Sequence, residues 1–412
     1  MPAQVQQKLT DRNVRYGFPA PATADPSDRE AFLTERLEYS RRSFAFELLS
    51  ADSRFSGGLV EARANDRLEC IASNSIGTRT MCASLTNGTH SFIRSAQVPI
   101  MSELCLVTGG AGFIGSHLVE ALLAQGKQVR VLDDLSTGTT GNFIGFANPP
   151  EFIHGTVTNL ESLMNAATGA SVVYHLAAMA SVAKSLEDPL ACHAVCASGT
   201  LNLLEAARRL GVHRIVYAGS SSAYGKASDP AGQSETTPLN PLSPYAAAKL
   251  AGEHYLEAFA ESFGIETVRL RFFNIFGPRQ RADSPYSGVI AIFVGMLMQG
   301  KVPVVHGDGL QARDFVYVEN CVQAILKAGS VPGISGRVYN VGTGTSVTLL
   351  QLIETLNKVL GTSVVPQHGA ARTGDVRFSS AKIDRIRAEL SYEPTIDFEE
   401  GLRRTVAWYR TL

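Results

Sequence analysis

The chain has 412 residues, 45% of them apolar, and its 37 basic side chains nearly balance 38 acidic ones, leaving a formal net charge of −1. This length and apolar content support one large or two moderate globular domains with a sizeable core, and the balance offers no basic surface for nucleic acid or an anionic membrane. No apolar run reaches the roughly 18 residues of a spanning helix, and the first 30 residues lack a charged start followed by an apolar stretch, so a cytoplasmic protein is expected.

Residues 1–100 mix Arg, Ser, Asp and Thr with few long apolar runs and little periodicity beyond a short helix near Asp28 to Leu49. "MSELCLVTGG" then opens at Met101 as abruptly as a first strand at a chain start. The first hundred residues read either as a mostly disordered extension without catalytic duty or as upstream sequence ahead of Met101 as the working initiator. A transit peptide fits less well, because such peptides are poor in acidic residues.

From Leu104 apolar strands alternate with helices: "LCLVTG" as strand, "FIGSHLVEALLAQG" as helix, then "QVRVLDD" and "SVVYHLAA" as strands. "GTLNLLEAARRLG" follows as helix, "HRIVYAGS" as strand, "SPYAAAKLAGEHYLEAFAESFG" as helix and "ETVRLRFFNIFG" as strand. Such alternation predicts right-handed crossovers and a doubly wound α/β domain with a parallel sheet over 101–275. A smaller, mixed, Gly/Pro-punctuated region follows over 276–412, with room for the chain to cross back to the first. The six cysteines (Cys70, Cys82, Cys105, Cys192, Cys196 and Cys321) form no C-x-x-C, and the one close pair, Cys192 and Cys196, has no matching histidines. Reduced, mostly buried thiols and no structural metal are expected.

"VTGGAGFIGS" ends the first strand and opens the first helix. In that context Gly109, Gly112 and Gly115 permit a tight turn, close approach of backbone to a pyrophosphate, and close helix-strand packing. The free N–H groups of the helix start, at Phe113 and Ile114, add partial positive charge. Asp133, 24 residues after Gly109 at the end of the second strand, can accept from both ribose hydroxyls; its charge would repel a 2′-phosphate, so NAD is favoured over NADP. A turn serving backbone geometry alone is the competing reading.

In "SPYAAAKLAGE", Tyr245 and Lys249 lie one helical turn apart on one face, with alanine at 246, 247 and 248 and Gly252 keeping the surface low. A phenol has a pKa of about 10, too high for a base at neutral pH, and a neighbouring ammonium favours its ionised form. Upstream, "AGSSSAYG" places Ser220 after a strand, where its hydroxyl can share a substrate proton. A Tyr-x-x-x-Lys pair by itself is usually a solvated helix face; joined to the glycine turn and the serine run, it points to proton transfer beside a hydride carrier.

"TGGAGFIGS", "SSSAYG", "YAAAK", "RFFNIFGPRQ" and "GDGLQARDFVYVEN", in this order, resemble the extended short-chain dehydrogenase/reductase family over residues 103–412, roughly three quarters of the chain. Within it the sequence is most similar to UDP-N-acetylglucosamine and UDP-glucose 4-epimerases. The resemblance implies Ser220, Tyr245 and Lys249 as the catalytic set, and Ser181, Ser221 and Ser222 beside the sugar. It also implies Asn274 and Arg313 at the nucleotide-sugar diphosphate, and Arg372 and Asp375 at a phosphate and the uridine ribose. Cationic forks suit phosphates and a carboxylate suits a diol. Ser379 matches the position where a bulky tyrosine restricts entry to unmodified hexoses, so its small side chain implies UDP-N-acetylglucosamine or its uronic acid; the alternative is a plain helix N-cap for "SAKIDRI".

The chain departs from the family pattern at Thr156 in "HGTVTN", where an aspartate approaching the adenine is usual, and at Cys196, where an asparagine helps order the active-site backbone. Met179 and Ser181 in "HLAAMASV" fit an acetamido-sugar pocket loosely. The expected activity is reversible inversion at C4 of a UDP-sugar through a 4-keto intermediate. A plain UDP-glucose/galactose epimerase, a nucleotide-sugar dehydratase or decarboxylase on the same fold, and an NAD-binding regulatory protein are the rivals. The resemblance also implies a homodimer, for which apolar positions around Leu201 to Leu210 and Leu250 to Phe259 are available unless they belong to the core.

Overall fold

The computed structural model describes residues 103–226, 231–282, 288–371 and 376–412, together with the backbone of three short strands nearer the N-terminus. The chain divides into two units, Met1–Met101 and Ser102–Leu412. In the first, the described strands Cys70–Ala72, Met81–Ala83 and Phe92–Arg94 pair antiparallel in that order. The helix expected near Asp28 to Leu49, like the disorder expected for most of 1–100, falls outside the described residues.

The second unit is built on the alternation the sequence predicts. Strands β1 (Leu104–Thr108), β2 (Gln128–Asp133), β3 (Glu151–His154), β4 (Val172–His175), β5 (Arg214–Ser220) and β6 (Glu266–Phe272) join a later strand, Arg337–Val341, in one seven-stranded sheet. Every pairing is parallel, and the order runs β3-β2-β1-β4-β5-β6 and then the late strand. This is a doubly wound, Rossmann-like arrangement whose order reverses between β1 and β4.

Alternate residues of each central strand feed two separate cores, as the two-residue period of a strand requires. Cys105 and Val107 of β1, Tyr174 of β4 and Val216 of β5 pack on one face with Leu118 and Leu122 of helix α1 (Phe113–Ala124). Leu106, Val173, Ile215 and Tyr217 pack on the other, with Leu163 of α2 (Leu160–Ala167). A fully buried leucine contributes about 2 kcal/mol on such a face.

After β4 come α3 (Val182–Glu187) and α4 (Pro189–His193); a π turn, Ala194–Ser198, then joins α4 to α5 (Gly199–Leu210). Helix α6 (Pro244–Phe263) starts on a Ser243 cap that accepts from Ala246 N, with Pro244 at its first position, and stops at Gly264 with φ +70°. Leu203, Leu204 and Leu256 are buried in the chain's own core, so the apolar stripes considered for a dimer are largely spent there.

"ETVRLRFFNIFG" is two strands, not the single one expected. β6 ends at Phe272, and β7 (Asn274–Phe276) leaves the main sheet to pair with Phe315–Tyr317. Beyond α7 (Val289–Met298) the chain makes short strands: β8 (Val304–His306), β9 (Ala312–Arg313) and β10 (Phe315–Tyr317). Helix α8 (Val318–Ser330) then packs against α1, and β11 (Arg337–Val341) pairs with β6 as the seventh strand, so this stretch crosses back to the main sheet. β12 (Val347–Thr348), α9 (Leu349–Leu360), β13 (Gln367–Gly369), β14 (Phe378–Ser379), α10 (Asp384–Leu390) and α11 (Phe398–Tyr409) complete the chain. Among the described residues no helix is long and apolar enough to cross a membrane.

Candidate active site

Backbone contacts fix the turn after β1. Gly109 has φ +71°, and a Cβ there would lie 2.7 Å from Ala177 N; a Cβ on Gly115 would lie 2.1 Å from Gly109 O. Both positions therefore exclude any side chain. Gly112 forms the start of α1 with no side-chain cap, leaving the first-turn N–H groups of Phe113 and Ile114 available to an anion. Asp133, 8% exposed, sits across the turn; one carboxylate oxygen accepts from Ala111 N and the other from Leu135 N, both at 2.9 Å. Burial pushes its carboxyl above the usual range, and the two backbone donors oppose that rise. Each oxygen keeps a lone pair for a ribose hydroxyl, so the residues present fit a dinucleotide. Thr156, after β3, turns its hydroxyl to Thr158 Oγ1 at 3.1 Å and brings no carboxylate to this rim.

At the end of β5, Ser220 caps the short turn Ser221–Tyr224; its Oγ lies 2.8 Å from Ser222 Oγ and accepts from Ser222 N. The Ser220 hydroxyl also lies near enough to the Tyr245 phenol to favour its ionised form. Lys249, 2% exposed, holds its Nζ over the Tyr217 ring, 4.5 Å from the centroid. Burial pushes the Tyr245 phenol well above its ordinary value, and the Ser220 hydroxyl offsets only part of the rise. The ammonium is over Tyr217, and its own pKa is lowered by burial, with the Glu253 charge opposing that.

Behind this set runs a buried polar thread that the sequence did not announce. His175 is fully buried between Thr108 Oγ1 (2.7 Å) and Thr200 Oγ1 (3.1 Å), and the Thr200 hydroxyl donates to Cys196 O at 2.7 Å. Burial holds the His175 imidazole neutral, with its pKa pulled down to about 3. The thread orders the backbone at the π turn where Cys196 stands. Cys192 and Cys196 pack there against Tyr245 and Met179, and all four fully described cysteines are free and buried. Among the described residues no group of three His, Cys, Asp or Glu side chains could hold a metal. Ser181 caps α3, accepting from Lys184 N at 3.2 Å, and Ser185, also unannounced, accepts from Tyr245 N.

On the other rim, Asn274 donates both its backbone N–H and its Nδ2 to Asp314 O. Arg313 faces Ser379 directly across the β9–β14 pairing. Ser379 thus sits in a strand, and the next helix begins at Asp384 with Ile383 at its cap, which removes the N-cap alternative. Arg372 and Asp375 lie outside the described residues. Asp314, missed in the sequence because it reads as one acid among many, is fully buried and knits this rim together. Its carboxylate accepts from Thr343 N, Thr343 Oγ1, Gly344 N and Ala381 N at 2.7–3.2 Å.

A family model described as "NAD dependent epimerase/dehydratase family" matches residues 105–342. A UDP-glucose 4-epimerase of Mycolicibacterium smegmatis is 38% identical over 310 residues, covering 74% of this chain and 98% of that protein. Among solved structures, the UDP-N-acetylglucosamine 4-epimerase of Methanobrevibacter ruminantium, in complex with UDP-N-acetylmuramic acid, superposes with a TM-score of 0.72 at 35% identity, covering 76% and 99% of the two chains. A UDP-glucose 4-epimerase of Thermus thermophilus in complex with NAD gives 0.68 at 37% identity, covering 74% and 99%. With the glycine turn, Asp133 and Ser220 at the C-terminal ends of parallel strands and Tyr245 and Lys249 on α6, the chain belongs to the NAD-dependent epimerase/dehydratase family of extended short-chain dehydrogenases/reductases.

Proposed function

We propose that the chain inverts C4 of a UDP-sugar through a 4-keto form, with UDP-N-acetylglucosamine or its uronic acid as the preferred substrate. The observation that carries this reading is the placement of Ser220 at the end of β5 and of Tyr245 and Lys249 one turn apart on α6, with the Ser220 hydroxyl favouring the ionised phenol. Bound NAD supplies the hydride acceptor and donor. Tyr245 takes the O4 proton, directly or through Ser220, and returns it once the sugar has turned about its diphosphate linkage. Burial alone keeps Tyr245 protonated, so added positive charge beside it is what frees the base; Lys249 contributes to this and offers its ammonium to ribose hydroxyls. Asn274 and Arg313, with Arg372 and Asp375, would anchor UDP, and Ser181, Ser221 and Ser222 would line the sugar. The small Ser379 leaves room for an acetamido group.

A dehydratase or decarboxylase of the same family needs an added acid/base after the catalytic Ser/Thr, and Ser221-Ser222-Ala223 supplies none. The same reading takes the assembly as a homodimer, for which the exposed Val182, Leu186 and Leu190 offer apolar surface. The test is to incubate the NAD-loaded protein with UDP-N-acetylglucosamine and with UDP-glucose and follow the C4 proton by NMR. Conversion of the acetamido sugar or, in a third sample, of its uronic acid is expected, and conversion of none of the three overturns the reading. Tyr245→Phe is expected to lower kcat by about 10²–10⁴ while UDP-sugar binding persists; a regulator that only binds NAD would be indifferent to it.

A further inference from the structure

We propose that Glu253, clamped by Arg271, is a positioning residue that acts through Lys249 and the Ser220 turn; this rests on the Tyr245–Lys249 reading above. Tyr245, Lys249 and Glu253 follow at four-residue steps on α6, each step turning about 40° around the axis, so one stripe carries phenol, ammonium and carboxylate. Lys249 and Glu253 are each 2% exposed and Arg271 is 4% exposed. The Arg271 fork grips the carboxylate three times: Nε donates to both oxygens at 3.1 Å and Nη2 to Oε2 at 2.7 Å.

The same guanidinium reaches the catalytic loop. Its Nη1 donates to the Tyr224 hydroxyl at 3.0 Å, and Tyr224, which closes the turn after Ser220, donates to Asn340 Oδ1 at 2.6 Å. On the other side, a Cβ on Gly219 would lie 3.0 Å from Glu253 Oε1, so the carboxylate backs directly onto the chain beside Ser220. One buried ion pair therefore fixes both the strand end that carries Ser220 and the helix that carries Tyr245 and Lys249. Glu253 is too deeply buried to touch substrate, so its action must pass through those residues.

Charge gives the arrangement a second consequence. Besides Glu253, the titratable groups facing Lys249 are the Tyr217 ring from β5, the thiols of Cys192 and Cys196, and neutral His175 from β4, while Tyr245 stands one turn before it on the same helix. Glu253 in turn faces Arg271, Tyr217 and Tyr224. Glu253 is the carboxylate in this group, set against two buried cations. Burial draws Lys249 toward its neutral form and Glu253 resists. Without the Glu253 charge, Arg271 would be left a buried cation with no carboxylate against it.

The experiment is the pH profile of C4 inversion by the NAD-loaded protein, as parent, Glu253→Gln, Arg271→Gln and the double variant. Alongside it, the ultraviolet titration of Tyr245, taken as a difference from each protein's Tyr245→Phe counterpart, is measured without sugar. Glu253→Gln is expected to move the alkaline limb down by about one pH unit and the phenol ionisation down with it, since both groups lose a negative neighbour, and to lower kcat about tenfold or more with KM little changed as the Ser220 turn and Lys249 lose their clamp. Arg271→Gln leaves an unpaired carboxylate and is expected to move the limb the other way, and the double variant to return it toward the parent. If either single variant fails to fold, the other still carries the sign. Limbs and phenol titrations that stay parental in the variants, or that shift in the same direction in both singles, overturn the proposal and leave Glu253 a structural residue. If the parent inverts no UDP-sugar, the reaction reading fails, while the phenol titration still decides the role of Glu253.

Discussion

The turn after β1 and the β9–β14 rim are built on opposite principles. At the turn, backbone packs on backbone: Gly115 stands where a Cβ would be 2.1 Å from a carbonyl oxygen, and Gly109 holds φ +71° against the chain after β4. At the rim, strands only two residues long are held by buried side chains, above all the Asp314 carboxylate with its four donors, with Gln233 Oε1 accepting from Ser380 N beside it. A shape made by backbone contact dictates residue type and tolerates nothing larger; one made by a buried carboxylate concentrates its dependence on a single residue and leaves its neighbours variable.

The sharpest way to break this contrast is Gly115→Ala. Its Cβ would meet backbone that has nowhere to move, beyond the 1–3 kcal/mol usual for overpacking, so a loss of at least about 3 kcal/mol in unfolding stability and loss of retained NAD are expected, measured by denaturant titration and by cofactor absorbance after gel filtration. Retention of both would show that the turn is looser than its contacts imply. Asp314→Asn comes next. An amide presents N–H where the site offers only donors, leaving buried groups unsatisfied at about 2–4 kcal/mol. The expected outcome is a large rise in KM for the UDP-sugar with NAD still held, which separates the rim from the turn; simultaneous loss of NAD would join them.

The same contrast explains what could be read beforehand. The parallel sheet and the glycine turn were legible, because strands buried on both faces read as apolar runs and a phosphate turn forces glycine at fixed spacing; the same pattern put Asp133 and Ser220 at strand ends and Tyr245 and Lys249 on a helix, and their roles belong to the proposal. The break at Phe273 was not, since "RFFNIF" keeps its apolar character while Asn274 switches from one sheet to another. Nor was the return of Arg337–Val341 to the main sheet specified by a local pattern, because pairing partners are a long-range property. His175, Asp314 and the Glu253–Arg271 pair were hidden for another reason: burial, which gives an ordinary polar residue its importance, leaves no mark on the residue itself.

Ser379→Tyr probes the rim more gently. It faces Arg313 across two short strands, and a phenol there should shift the preference from the acetamido sugar toward UDP-glucose by about 10–100-fold in kcat/KM, the range one pocket contact commands. Competition between the two UDP-sugars in one NMR sample reads the ratio directly, and an unchanged ratio would remove Ser379 from the sugar pocket.

The smallest effect concerns a tie that runs from the helix of the glycine turn to the segment after β7. His117 on α1 donates from Nε2 to Pro278 O at 2.9 Å, joining the helix of the glycine turn to the segment after β7. Burial pulls its imidazole down to about 4 from an ordinary 6.5, outweighing the carbonyl partner. The folded chain therefore binds this proton more weakly than the unfolded one, so the unfolded state takes up protons first on acidification, and stability falls as pH drops from about 6.5 toward 4. His175, at about 3, acts with the same sign. Asp314, raised to about 6, acts with the opposite one, because its folded form holds a proton that the unfolded chain has released above about 4. The net acid slope mixes all three, so it cannot assign the tie by itself. His117→Gln can: the amide keeps a donor for Pro278 O and cannot charge. Between pH 7 and 5.5 the variant should lose about 1 kcal/mol less than the parent, read from urea midpoints at the two pH values. Parallel curves would mean that α1 and the Pro278 segment are joined by packing alone.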